Sequence, residues 1–204
     1  MKIGIFGGTF DPVHNAHLFV AESARRLEGL DKVLFVPNTH AHYRSATAAS
    51  VEHRVAMLLG AIASNPHFDI DDSDLRPDAS GFTADLIPHV RQKFPHAQLS
   101  FVTGADSLAS NAWVRLEEVL ETLDSFVVAP RAGITADAVS RVLAAVPARL
   151  RDRVRTLNLP ELPESATLVR TLLAQGKSVR YLVPEAVWQY VVAHELYGIS
   201  IDAA

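Results

Sequence analysis

The sequence predicts an α/β fold: a doubly wound, mostly parallel sheet with a helical appendage toward the C-terminal end. Three observations carry this reading. Short runs that are apolar on both faces recur along the chain, segments of helical period separate them, and after Pro160 the pattern turns to helices alone. A strand buried on both faces reads as a continuous apolar run, and strands alternating with helices imply right-handed parallel crossovers.

The elements follow in order. Residues 3–6 form the first strand, rich in Ile and Phe, and residues 16–28 the first helix. Residues 33–36 are the second strand, 51–64 the second helix, and 68–70 a weaker strand. A helix over 83–93 leads to the apolar strand 99–102, and a helix over 113–123 to the strand 126–129. A further weak run lies around 154–159, after which Pro160 and Pro163 punctuate the chain. The tail then holds two helices, 167–174 and 184–196, with a turn at Gly176 between them. A chain of 204 residues suffices for one α/β core and is too short for two large ones, so residues 1–204 are expected to form one domain whose helical tail begins near Ser165.

Composition narrows the function. Lys and Arg number 19 against 23 Asp and Glu, a net charge of −4, and no basic block suggests a nucleic-acid surface. The apolar stretches are too short to span a membrane. Without cysteine the chain has no disulfide, no thiolate nucleophile and no cysteine zinc site. The first ten residues, interrupted by Gly4, Gly7 and Gly8, do not form a signal-peptide run, so a cytoplasmic location is expected.

The most informative segment is Gly7-Gly8-Thr9-Phe10-Asp11-Pro12-Val13-His14-Asn15-Ala16-His17, between the first strand and the first helix. In open α/β sheets ligands settle at the carboxyl ends of strands, where helix N-termini offer unpaired N–H groups to phosphate. Gly7 and Gly8 are expected to admit a phosphate close to the backbone, and His14 and His17, three residues apart, share one face near the helix start. Two imidazoles then face one anion.

This segment resembles the Gly-Gly-Thr-Phe-Asp-Pro-x-His-x-Gly-His signature of the HxGH nucleotidyltransferases. Further blocks follow: Gly104-Ala105-Asp106-Ser107-Leu108 with Trp113, then Arg131-Ala132-Gly133, then Ser165-Ala166-Thr167 with Arg170. With Ser178-Val179-Arg180-Tyr181-Leu182-Val183-Pro184 they resemble, in order and over nearly the whole chain, the blocks of bacterial nicotinate mononucleotide adenylyltransferases. The resemblance implies a Rossmann-like sheet and transfer of AMP from ATP to nicotinate mononucleotide, giving deamido-NAD and pyrophosphate, with Mg²⁺ bound to ATP and no protein metal site. It assigns catalysis to His14, His17 and Arg170. ATP binding falls to Gly7, Gly8, Thr9, Phe10, Ala16, Ser165 and Thr167, and acceptor binding to Arg44, Phe82, Thr83, Asp106, Trp113 and Arg131. Such a reaction needs no covalent intermediate; positioning and charge neutralisation carry it. Ser165 reads as an N-cap, so its hydroxyl, Thr167 and the helix N–H groups make a second anion cradle. Trp113 would stack on the pyridine ring, and Asp106 would accept ribose hydroxyls.

Three departures stand out. Ala16 occupies the usual Gly of His-x-Gly-His, Ala41-His42-Tyr43-Arg44 replaces a Pro-Pro-His loop, and Ser80-Gly81-Phe82-Thr83 replaces a Ser-Tyr-Thr run. They leave acid or amide acceptor open, together with a relative acting on another phosphorylated acceptor and a nucleotide-binding paralogue without turnover. Assembly into a homo-oligomer is likewise open. His40 and His42 read as loop histidines because nothing nearby completes a metal site. Gly176-Lys177-Ser178 is not a P-loop: Thr171 stands where the first Gly belongs, and a helix precedes it.

Overall fold

A computed structural model describes residues 1–39, 47–109, 113–131, 133–134, 136–144 and 146–199. Among these, strands β1 (Lys2–Gly8), β2 (Lys32–Pro37), β3 (Phe68–Ile70), β4 (Gln98–Gly104), β5 (Ser125–Ala129) and β6 (Val154–Thr156) form one sheet in the order 3-2-1-4-5-6. Every pairing is parallel. The helices are α1 (Asn15–Glu28), α2 (Val51–Ile62), α3 (Thr83–Lys93), α4 (Ala105–Ala109), α5 (Leu116–Thr122), α6 (Ala136–Ala144), α7 (Ala148–Arg151), α8 (Ala166–Ala174) and α9 (Glu185–Ala193).

The doubly wound sheet is as expected, and all six strands stand where apolar runs placed them. Alternate side chains go to opposite faces. Ile3, Ile5, Leu34, Val36, Leu99, Phe101 and Val128 meet α3 and α5 on one side. Phe6, Val33, Phe35, Val102 and Val127 meet α1 and α2 on the other, in one cluster with Val169, Leu173, Val187 and Trp188 of the tail helices. The tail therefore shares the core of the sheet. Each such fully buried side chain contributes roughly 1.5–3 kcal/mol. Gly4 makes the close approach on this second face: a Cβ there would lie 2.7 Å from Leu30 Cδ1, at the turn that follows α1.

Some helices depart from expectation. The helix predicted from 113 begins only at Leu116, because the Trp113 Nε1–H donates to the Ser107 carbonyl (3.2 Å) and Arg115 adopts a left-handed φ of 58° as N-cap. The last helix stops at Ala193, and left-handed Glu195 (φ 49°) redirects the chain into a 3₁₀ turn, Leu196–Gly198. Helices α4, α6 and α7 were not anticipated. Among the described residues no helix is long and apolar enough to cross a membrane.

The chain runs outward from β1 through β2 to β3, then crosses back to β4 on the other side of β1, so a crevice opens at the carboxyl ends of β1 and β4. The tail reaches this end as well: Asn15 donates its N–H to the Leu182 carbonyl (2.9 Å) and its side-chain amide to that of Tyr181 (2.6 Å).

Candidate active site

A cleft of about 440 Å³ occupies the crevice. It gathers Gly7, Gly8, Thr9, Phe10, His14, Ala16 and His17 from the β1–α1 segment, Asp106 and Arg131 from beyond β4 and β5, and Ser165, Thr167 and Arg170 from α8. A second cavity of about 80 Å³ adjoins it and holds Phe82, Thr83 and Trp113. Gly7, Gly8, Thr103 and Ser107 line both. Asp106 and Arg131, set on the acceptor side by the resemblance, thus lie in the larger cleft with the histidines. Arg44, His40 and His42 lie outside the described residues.

His14 caps α1, and its backbone N–H donates to Nδ1 of His17 (3.2 Å). A backbone N–H can only donate, so neutral His17 must carry its ring proton on Nε2, as a donor. The two rings lie 3.7 Å apart at 31°, and Phe10 meets His17 edge-on at 5.1 Å. His14 is only 2% exposed, and burial followed by the nearby Arg131 charge lowers its pKa to about 3. It is neutral at physiological pH. Fixed positive charge in the cleft therefore comes from Arg131 and Arg170 rather than from His14.

The two glycines line the cleft and are also constrained by packing. A Cβ on Gly8 would sit 2.9 Å from the Phe10 ring, and one on Gly7 would sit 3.1 Å from the Phe101 ring. The volume a side chain would need is already filled by aromatic carbon. Phe10, with φ 49° and 2% exposure, is a core residue wedged edge-on against Phe6.

At the start of α8, Ser165 is the N-cap that the sequence predicts, its Oγ accepting the Leu168 N–H (3.0 Å). Neither α1 nor α8 carries an acidic side chain in its first turn. Two positive helix ends therefore meet one cleft, an arrangement suited to a polyanion. Arg170 donates from Nη1 to the Asp11 carbonyl (2.6 Å) and from Nη2 to Thr167 Oγ1 (3.5 Å). In the smaller cavity, Trp113 is held against Phe101 and Phe126 with ring centroids 5.5 and 5.0 Å away.

Sequence reasoning missed three residues that build this site. Arg54 of α2 is fully buried and donates to the carbonyls of Thr9 (2.5 Å) and Asn38 (2.7 Å), joining a wall of the large cleft to a wall of the small one. Burial lowers its pKa, and the charge of Asp11 acts in the other direction. The available signal was an arginine three and four residues before Met57 and Leu58, on the apolar face of α2. Asp11 accepts the N–H groups of Ala48 (2.7 Å) and Ala49 (3.1 Å) and the phenol of Tyr197 (2.8 Å). No local pattern marks that last contact, which spans 186 positions.

Known proteins share this chain's pattern over most of its length. Residues 5–172 match the cytidylyltransferase-like family. A protein of Symbiobacterium thermophilum named "Probable nicotinate-nucleotide adenylyltransferase" is 36% identical over 96% of this chain and 95% of its own length. A protein of Thermomicrobium roseum with the same name is 38% identical, over 96% of this chain and 91% of its own. The solved structure of Plasmodium falciparum nicotinic acid mononucleotide adenylyltransferase, complexed with NaAD, shares the fold at a TM-score of 0.79 and 19% identity over 98% of each chain. Sustained identity from the first strand into the tail helices decides the assignment: the chain belongs to the nicotinate-nucleotide adenylyltransferase family, within the cytidylyltransferase-like proteins.

Proposed function

We propose that this protein transfers the adenylyl group of ATP to nicotinate mononucleotide, forming deamido-NAD and releasing pyrophosphate. The observation that carries the reading is the pair of helix starts, with Arg131 and Arg170, on a cleft that opens into a smaller cavity holding a fixed indole. An oxygen of the acceptor phosphate attacks the α-phosphorus of ATP, and the bond to the bridging oxygen of pyrophosphate breaks in line. Several negative charges converge, and the protein's task is to orient and offset them. His17 donates from Nε2 to the α-phosphate. Arg170, Ser165, Thr167 and the α8 N–H groups hold the leaving phosphates, while Arg131 and Asp106 sit where the two nucleotides join. Trp113 stacks on the pyridine ring, and the backbone around Phe82 and Thr83 donates to its carboxylate. A reaction that consumes ATP fits the cytoplasm.

Mg²⁺ fits as a partner of the triphosphate rather than of the protein. Among the described residues no group of three or more His, Cys, Asp or Glu could hold a metal, so its oxygen donors would be phosphate and water, with the Asp106 carboxylate on the same cleft. Bound there, it would neutralise phosphate charge.

The test is pyrophosphate release with ATP and each acceptor in turn. Nicotinate mononucleotide is expected to exceed its amide counterpart in kcat/KM by a large factor, because an amide would set its own NH₂ donor against the backbone donors around Phe82 and Thr83. Equal values would refute the acid preference, and no release with either acceptor would refute the function.

Ala16 offers a second measurement. It lies buried in the first turn of α1 and lines the cleft. Ala in a helix is better than Gly by up to about 1 kcal/mol, less near the start, yet its methyl takes space beside the proposed adenine. Ala16→Gly is expected to lower the thermal midpoint modestly while the KM for ATP falls or holds level. A clear loss of ATP affinity in the folded variant would show that the methyl contacts the base.

A further inference from the structure

Asp11 connects three separate parts of the cleft wall. Through its own backbone it belongs to the segment that carries His14 and His17. Its carboxylate accepts the N–H groups of Ala48 and Ala49, adjacent to Thr47, another residue of the large cleft. Its carbonyl receives Arg170 Nη1 at 2.6 Å. A residue so placed sets how the α1 start, the Thr47 segment and the α8 start stand relative to one another.

What holds Asp11 comes from the far end of the chain. Asp11 is 4% exposed, and Tyr197 Oη–H donates to its Oδ1 at 2.8 Å. The other bond to that oxygen is the longer one from Ala49. Tyr197 sits in the 3₁₀ turn with a left-handed φ of 60°, between left-handed Glu195 and Gly198. Three left-handed residues within four positions turn the chain so that the phenol meets Asp11. Neutral donors to a buried carboxylate make strong, directional bonds that fix the acceptor's orientation. Burial and the Asp11 charge both push the phenol's pKa upward, so it remains a donor across the working pH range.

We propose that Tyr197 is a positioning residue for the transfer reaction: its phenol orients Asp11, and Asp11 in turn places Arg170 against the triphosphate. The inference rests on the reading of Arg170 as a phosphate partner. Tyr197 itself touches neither substrate; it acts through a carboxylate and a carbonyl of one residue. A phenylalanine keeps the ring in its packing and removes the single oxygen that does this.

The experiment is kinetic analysis and ATP-analogue titration of Tyr197→Phe, Arg170→Ala and the double variant, in the full chain below the unfolding transition. Tyr197→Phe is expected to raise the KM and the Kd for ATP by roughly tenfold, the scale of one lost bond to a charged group. The KM for the acceptor should stay level. In the double variant the loss should not exceed that of Arg170→Ala alone, since both changes remove the same contact. A lower thermal midpoint with unchanged ATP affinity, or losses that simply add, would overturn the proposal by showing a purely structural latch. Should Tyr197→Phe fail to fold, Asp11→Asn gives the second measurement, with the same rise in KM for ATP expected and an unchanged value overturning the idea. Failure of the wild-type chain to bind the analogue would refute the functional reading instead, which separates the two.

Discussion

Replacing His17 by Ala is expected to lower kcat by roughly 10²–10³, the usual effect of losing one donor aimed at charge that develops during reaction. The structure gives the reason for placing this effect on His17 rather than on His14. The His14 backbone N–H occupies Nδ1 of His17, which fixes the ring's proton on Nε2 and fixes the ring's orientation. A donor held in this way needs no reorganisation as the α-phosphate becomes pentacoordinate. His14 is itself buried, only 2% exposed, and serves through its backbone N–H to orient His17. ATP affinity should change little in His17→Ala, because Arg131, Arg170 and two helix starts remain for the ground state. Steady-state kinetics with an independent ATP titration would check this, and near wild-type turnover would remove His17 from the role.

The largest effect on stability is expected at Arg54. Its guanidinium bonds two backbone carbonyls that no side-chain substitution can remove. Arg54→Met, close in volume, relieves the cost of burying a cation but strands the carbonyls of Thr9 and Asn38, each at about 1–3 kcal/mol. It also takes away a positive charge that interacts with the buried Asp11. A net loss of about 2–4 kcal/mol is expected, which for a chain of this size lowers the midpoint by roughly 4–16 °C. Arg54→Lys should recover only part, since one ammonium lacks the planar fork that reaches both acceptors. Urea or thermal unfolding measures all three proteins, and a Met variant as stable as wild type would contradict the account.

The difference between Arg54 and His17 marks what the sequence could disclose. Features encoded over a few residues were legible: the β-branched strands, the 7–17 segment, the Ser165 cap. Helices α4 and α7, at five and four residues, are too short to show a period. Helix α6 does carry one, with Val139, Val142 and Leu143 spaced to meet the core. Gly7 and Gly8 were recognisable as special, while the rings of Phe101 and Phe10 that also crowd them show only in the packed structure. Asp11 was read as part of a motif, while its bonds to residues 48, 49 and 197 depend on tertiary approach that no local pattern encodes.

The wall shared by the two cavities at Gly7, Gly8, Thr103 and Ser107 has a consequence after the reaction is over. On the proposed reading, the two substrates enter as separate molecules that can depart independently. After transfer, on that reading, one molecule would span both cavities, so when either end let go the other would still tether it, and recapture would become an intramolecular event at high effective concentration. Joining the substrates therefore creates a chelating ligand with no new contact made. The enzyme's hold on its dinucleotide is in this sense a property of connectivity, and departure requires both ends to be free at the same moment.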